Sequence, residues 1–498
     1  MSENATPDDT KKPDHAVPEP AEVTGSWTGP DGTIDYTARS EWLVLRKKEK
    51  PVAEMFSTSY VADGDNPNRP VTFVFNGGPG AASAYLHMGA VGPRRVAFPP
   101  DGTLPSPPAQ LVDNAESWLG FTDLVFIDPV GTGFSRAIEP DSPDKDEKPE
   151  DKNDPKAFWG LKRDLESIGE FMSRWLSNQG RWASPVFIAG ESYGGFRGGK
   201  LARLLPEGFG IGLSGVVLIS PALEWAPLNP SDYDVLPWVD KLPTMAAAAL
   251  FHGKSRAFAE GTDLDEVFAT AEEFATSDYV AFLTRGAGME PAERDRILGR
   301  LADMLGLPTD LVVVAEGRIP MTVFVRELLR SDGKVVGLYD ATITAHDPFP
   351  DRQTFAGPDP TLAGIEAAYT AAINQQLREH IGVETDRQYH LLSMEVFQGW
   401  KIDMERHAFE HHVGATDDLR YGIALNPDLK VFITHGRYDL VTPYYSAERM
   451  RNLMRLDPDV GERLTVEHWG GGHMFYAWEQ SRIDFTSAIH RFYADAGS

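Results

Sequence analysis

Short apolar runs recur along this chain, each emptying into glycine or a small polar residue. They fall near 71–75, 123–128, 185–190, 213–220, 429–435 and 464–469, and we read each as a strand. Between Gly25 and Ala62 the runs Trp42-Leu43-Val44-Leu45 and Met55-Phe56-Ser57-Thr58-Ser59-Tyr60 predict antiparallel strands entering the same sheet. Helix-compatible stretches lie near 158–179, 194–205, 443–456 and 477–494. Strands alternating with helices predict an α/β fold with a mostly parallel sheet. From about Leu223 to Gly422 the pattern turns mostly helical, as in Thr244 to Leu250 and Leu362 to Leu377. Pro140 to Pro155 is acidic and proline-rich, which predicts an exposed loop. No internal repeat is found.

One strand end carries chemistry. Pro185-Val186-Phe187-Ile188-Ala189 runs into Gly190-Glu191-Ser192-Tyr193-Gly194-Gly195, and a helical stretch from Phe196 to Leu205 follows. Serine between two glycines where a buried strand becomes a helix is the nucleophile elbow of α/β-hydrolases. Taken alone, G-x-S-x-G in a chain with 46 glycines carries little weight. A second strand, Val71 to Phe75, empties into Asn76-Gly77-Gly78-Pro79-Gly80. An early strand-to-helix loop of this kind supplies one oxyanion donor, and the residue after the nucleophile, Tyr193, supplies the other. Such donors are worth about 3–4 kcal/mol each in other enzymes.

The acid and the base follow. Leu429 to Gly436 reads as a strand ending at Arg437-Tyr438-Asp439, and Leu464 to Trp469 as another ending at Gly470-Gly471-Gly472-His473-Met474. The order Ser, Asp, His is the α/β-hydrolase order. Ser192 would attack, His473 would take and return its proton, and Asp439 would fix the imidazole tautomer. Three such residues at strand C-termini are hard to obtain by accident, since open α/β sheets bind ligands at those ends.

On these residues the chain resembles a divergent, bacterial-type member of the serine carboxypeptidases. The matching segments are Asn76 to Gly80, Phe126-Ile127-Asp128-Pro129-Val130-Gly131-Thr132-Gly133-Phe134-Ser135, Gly190 to Gly195, Asp439, and Gly472-His473-Met474. The resemblance implies Ser192, Asp439 and His473 as the triad and the amides of Gly78 and Tyr193 as the oxyanion hole. It implies Asn76 and Glu191 as holders of the substrate's terminal carboxylate and Met474 as lining the leaving-residue pocket. It also implies an α/β-hydrolase core at 25–222 and 423–498, with a mainly helical cap at 223–422.

Two departures stand out. Ala81-Ala82-Ser83 replaces the family's usual Cys-Ser-Ser, and Ala90-Val91-Gly92-Pro93 stands where Glu-x-Gly-Pro is usual. The missing carboxyl is the one that shares a proton with the elbow glutamate. Two carboxyls that close cannot both ionise, which raises one pKa. Without its partner, Glu191 is expected to ionise near neutrality.

Composition narrows the partners. The 498 residues carry 47 Lys and Arg against 74 Asp and Glu, a formal charge of −27, which argues against nucleic acid. There is no cysteine, hence neither a disulfide nor a thiol nucleophile. The N-terminal 1–24 reads as disordered, without the apolar core of a signal peptide, and no run suggests a membrane span. A reducing compartment, the cytoplasm, is the expectation, with export left open.

Two motifs mislead. His407-Ala408-Phe409-Glu410-His411 fits an inverted zinc-protease pattern but lacks a third ligand, so no metal is expected. Gly194 to Gly199 before Lys200 approaches a phosphate loop, but Leu201 stands where Ser or Thr would bind magnesium. No cofactor is expected. Asp128 and Ser135 read as loop geometry, and Trp225, Trp238, Trp400, Trp469 and Trp478 mostly as packing. The expected activity is removal of C-terminal residues from peptides through an acyl-enzyme. An esterase or acyltransferase using the same triad is the second reading, and a binding protein without catalysis the third.

Overall fold

The computed structural model describes residues 15–496 except 65, 67, 140–153, 229, 353–354 and 403–412. Nine strands form the main path of one sheet. They are β1 (Ala21–Gly29), β2 (Gly32–Lys47), β3 (Lys50–Ala62), β4 (Val71–Phe75), β5 (Asp123–Ile127), β6 (Val186–Glu191), β7 (Gly215–Ile219), β8 (Lys430–Gly436) and β9 (Leu464–Trp469). Their spatial order is β1-β2-β3-β5-β4-β6-β7-β8-β9, and the short strand Arg136–Ala137 pairs with β3. The first three strands are antiparallel, as is the β3–β5 pair. From β5 to β9 every pair is parallel.

The sheet is covered on both faces, and side-chain alternation divides it. Val71, Phe73, Phe75, Val125, Ile127, Ile188, Val216, Leu218, Val431 and Ile433 point to one cluster. Val74, Leu124, Phe126, Phe187, Ala189, Val217, Ile219 and Phe432 point to the other. A strand that buries both faces must be apolar throughout, which is why these segments read as continuous runs. Helix α1 (Leu161–Asn178) covers the first face with Leu161, Leu165, Ile168, Phe171, Met172, Trp175 and Leu176, a three-to-four-residue spacing that makes one stripe. α2 (Tyr193–Leu204) follows β6 on this face, and the C-terminal helix of the chain covers the other with Phe485, Ala488, Ile489, Phe492 and Tyr493.

The segment after β7 has a core of its own. α3 (Leu236–Phe251), α4 (Leu264–Phe274) and α5 (Pro291–Leu305) bury Trp238, Leu242, Met245, Phe268, Phe274, Leu298 and Leu301 in a third cluster. Tyr438, Leu440 and Tyr444, from the loop after β8, enter the same cluster and tie it to the sheet. The stretch 223–422 is therefore not one layer. α6 (Pro360–Asn374) brings Ile365, Ala368, Tyr369 and Ile373 into the cluster on one face of the sheet through contacts with the segment 84–96, and α7 (Thr416–Leu425) places Leu419 and Ile423 on the opposite face beside α2. Helical periodicity marks these segments as amphipathic but does not say which core receives their apolar stripe. α8 (Tyr444–Leu453) and α9 (Glu479–Ala496) complete the chain.

Candidate active site

Ser192 lies between β6 and α2 with φ 62° and ψ −121°, a conformation costing of the order of 1–3 kcal/mol for a residue with a side chain. The surroundings fix it. Its amide donates to Ile219 O at 2.9 Å, and its carbonyl accepts from Gly195 N at 2.9 Å and Ala222 N at 3.1 Å. Gly190 must be glycine here, because a Cβ would stand 2.1 Å from Gly194 O. The loop after β4 crosses the elbow just as closely: a Cβ on Gly77 would lie 2.4 Å from Tyr193 N. This close approach brings Gly78, Tyr193 and Ser192 to one cleft of about 550 Å³.

The loops after β8 and β9 supply the other polar groups. His473 Nδ1 lies 2.6 Å from Asp439 Oδ2. Val441 N and Thr442 N donate to Asp439 Oδ1 at 2.8 and 3.0 Å, and the Thr442 hydroxyl lies 2.6 Å from Oδ2. These donors aim the carboxylate at the imidazole. Both residues are buried, and among the described residues His473 Nε2 makes no hydrogen bond. Burial alone would lower the histidine pKa, but the Asp439 charge and hydrogen bond, with Glu191, outweigh it and leave the pKa raised.

The segment between β7 and β8 reaches this histidine through Tyr339 and Asp340, which the sequence reading did not single out. His473 N donates to Tyr339 O at 2.6 Å, and the Tyr339 ring meets the imidazole edge-on at 5.2 Å between centroids. Asp340 Oδ2 accepts from Gly472 N at 2.9 Å. Thr442 was missed as well. Nothing local marks these residues, since their roles come from contacts across the fold.

Asn76 and Glu191 are brought together but do not line the cleft. Asn76 is buried, accepts from Leu86 N at 3.0 Å through its side-chain oxygen, and hydrogen-bonds Glu191. Glu191 accepts from the Tyr476 hydroxyl at 2.7 Å. Burial raises its pKa most, His473 and the hydrogen bonds from Tyr476 and Asn76 oppose this, and the result is about 7. Met474 packs in the core beside Phe475 and Tyr476 and does not line the cleft either.

The remaining expectations sort cleanly. Asp128 accepts from Ser83 N at 2.9 Å and Tyr389 OH at 3.2 Å, and the Ser135 hydroxyl donates to Asp128 O at 2.6 Å, so both hold loops. Trp225 and Trp238 line the cleft, and Trp400 meets Tyr193 edge-on at 5.2 Å. Trp469 donates to Thr434, and Trp478 stacks on Tyr438. His435 faces Thr442 O and His468 faces Glu448. The His407–His411 motif lies outside the described residues. Among the described residues no cluster of His, Cys, Asp and Glu could hold a metal, and no helix is long and apolar enough to cross a membrane.

Comparison with known proteins converges on one family. The model of the serine carboxypeptidase family matches residues 31–222. The pheromone-processing carboxypeptidase KEX1 of Saccharomyces cerevisiae is 35% identical over 136 residues, which is 26% of this chain and 16% of the relative. Serine carboxypeptidase-like 33 of Arabidopsis thaliana is 30% identical over 181 residues, 34% of each chain. The match thus spans about a third or less of the curated relatives' length. The crystal structure of the prohormone-processing carboxypeptidase Kex1(Δ)p from Saccharomyces cerevisiae shares the fold over 92% of both chains, at TM-score 0.53 and 15% identity. These partial matches support the serine carboxypeptidase family for this chain, with the family model confined to residues 31–222.

Proposed function

We propose that this protein is a serine hydrolase that removes C-terminal residues from peptides through an acyl-enzyme. The observation that carries the reading is the imidazole of His473. Its Nδ1 is held 2.6 Å from Asp439, and its buried Nε2 is left without a partner behind a cleft lined by Ser192. In this reading Ser192 Oγ attacks the scissile carbonyl as His473 Nε2 takes its proton. The oxyanion then receives the amides of Gly78 and Tyr193. Collapse expels the leaving amine with the proton from His473. Water repeats the sequence and frees the acid. Asn76 and Glu191 belong to the proposal as the polar pair beside the elbow, with Glu191 protonated below about pH 7. The cytoplasm is the proposed compartment, since a chain without cysteine needs no oxidising surroundings.

A fluorophosphonate probe and a peptide pair test the proposal. The wild type should label at Ser192 and shorten a peptide with a free C-terminus but not its amide, as read by mass spectrometry. Absence of labelling overturns the hydrolase. Labelling with equal cleavage of peptide and amide overturns the exopeptidase and favours the esterase or acyltransferase reading. One observation supports that second reading: Asn76 and Glu191 are buried, bonded to each other and absent from the cleft wall.

A further inference from the structure

The cleft that holds Ser192 is apolar and aromatic along most of its wall, with Trp225, Trp238, Met321, Tyr339 and Phe397 among its lining. Two charged side chains interrupt it, Asp232 and Lys241. Asp232 sits exposed, where solvent screens its charge. Lys241 is different. It lies on α3, one turn after Trp238, and is only 6% exposed.

A lysine whose side chain is largely buried keeps little of its hydration, so its ammonium, opening on the cleft, is favoured by an anionic partner there. Lys241 has poor compensation. Among the described residues its Nζ makes no ion pair within salt-bridge distance, and the Trp238 ring lies 5.8 Å away. The neighbouring carboxylate of Asp240 is already used. Both its oxygens are held by Arg449, at 2.8 and 2.5 Å. Burial pulls the lysine pKa down and Asp240 opposes this only partly. The sequence therefore retains a lysine, beside the nucleophile's cleft, that folding leaves underpaired. The one carboxylate in the wall, Asp232, is exposed, and the aromatic rings beside Lys241 offer no anion.

Resting on the hydrolase reading above, we infer that Lys241 is the residue that receives a carboxylate of the substrate, making this an enzyme selective for substrates that carry a carboxylate next to the scissile bond. The carboxylate has two sources of the same chemistry: the free C-terminus of a peptide, or an Asp or Glu side chain next to the scissile bond. An arriving carboxylate restores the partner that Lys241 lacks. A charge-assisted hydrogen bond in such a site corresponds to about 10- to 100-fold in kcat/KM.

The test compares blocked peptides bearing Glu or Gln on either side of the scissile bond, each as free acid and as amide, with wild type, Lys241→Met and Lys241→Arg. The wild type should prefer at least one acidic member by about 10-fold or more. A preference carried by the C-terminus identifies the terminal carboxylate, and one carried by Glu over Gln identifies the side chain. Lys241→Met should abolish the preference and Lys241→Arg keep it. Competitive inhibition of the wild type by N-acetylglutamate against N-acetylglutamine needs no variant, and the acid should bind about 10-fold more tightly. Ser192 labelling with no preference for any acid overturns this inference alone, as does a preference that survives in Lys241→Met. Absence of labelling in the wild type overturns the hydrolase reading and this one together.

Discussion

Tyr476 donates its hydroxyl to Glu191 at 2.7 Å, and so gives the elbow glutamate a partner although Ala90 stands where a carboxyl would be expected. The two partners differ in kind. A second carboxyl repels the charged form, whereas a phenol donates to it. Burial and the nearby Glu191 push the Tyr476 phenol well up, so it stays protonated and remains a donor. Glu191 is held at about 7 by burial working against His473, Tyr476 and Asn76.

The first prediction follows from that pair. Tyr476→Phe removes a donor that favours the carboxylate, so the Glu191 pKa should rise above about 7. For a peptide with a free C-terminus, the upper limb of the kcat/KM profile should move to higher pH. For a neutral ester it should stay in place. An unmoved peptide profile would mean that the hydroxyl does not govern this ionisation.

The nucleophile gives the second. Ser192→Ala should fold normally, because the elbow is held through backbone contacts. Its kcat should drop about 10⁴-fold or more, and His473→Ala should cost about as much, since such residues act as a unit. Asp439→Asn keeps the Val441 and Thr442 amide donors but favours the wrong imidazole tautomer, so about 10⁴-fold should be lost there too. Steady-state rates with circular dichroism on each variant decide this. Turnover by Ser192→Ala comparable to wild type would remove Ser192 from the chemistry.

A third prediction concerns Asp340, in the segment between β7 and β8. Asp340 is buried and its Oδ2 holds the Gly472 amide, one residue before His473. Burial outweighs its hydrogen bonds with Thr342 and Gly472 and pushes its pKa to about 6. Asp340→Ala leaves that amide without its acceptor, at a cost of about 1–3 kcal/mol. The histidine loop should loosen, and fluorophosphonate labelling of Ser192 should slow about tenfold or more while the fold persists. Asp340→Asn keeps an acceptor and should restore part of the rate. Equal labelling in all three proteins would show that His473 is positioned by Asp439 and Tyr339 alone.

The sequence carried the sheet more clearly than the insertion, for a physical reason. Strands such as Val71–Phe75 and Lys430–Gly436 are buried on both faces, so their runs announce themselves and their ends point to Asn76 and Asp439. The helical stretch that became α6 was legible, but an apolar helix face fits any apolar surface, so the cluster that receives it was not. Ser192 stands in a local turn motif that composition and spacing reveal. Tyr339, Asp340, Thr442 and Tyr476 act through contacts that only the closed fold creates. Nothing in the sequence singles out Lys241, and only its burial beside the cleft sets it apart.

The last prediction concerns stability and tests the electrostatics of the sheet end. Asp128 is fully buried, and burial outweighs the hydrogen bonds from Ser83 and Tyr389 and the charge of Arg136 to raise its pKa to about 7. An unfolded aspartate titrates near 3.9. Between about pH 4 and 7 the folded protein therefore holds a proton that the unfolded chain has released. Stability contributed by this group is complete below the unfolded pKa and is lost as pH rises through the folded one. Glu191 and Asp340 act in the same direction, while His87, pushed down to about 3 by burial, acts oppositely as pH rises from about 3 to 6.5. The comparison must therefore be between variant and wild type at each pH, not along one curve. Asp128→Asn cannot ionise and keeps an acceptor for Ser83 N. Its melting temperature relative to wild type should rise from pH 5 to about pH 7 and level off by pH 8, ending several degrees higher than at pH 5. A difference that is constant across that range would mean that Asp128 is already ionised in the folded protein at pH 5, stabilised by Ser83, Tyr389 and Arg136 more strongly than burial opposes it.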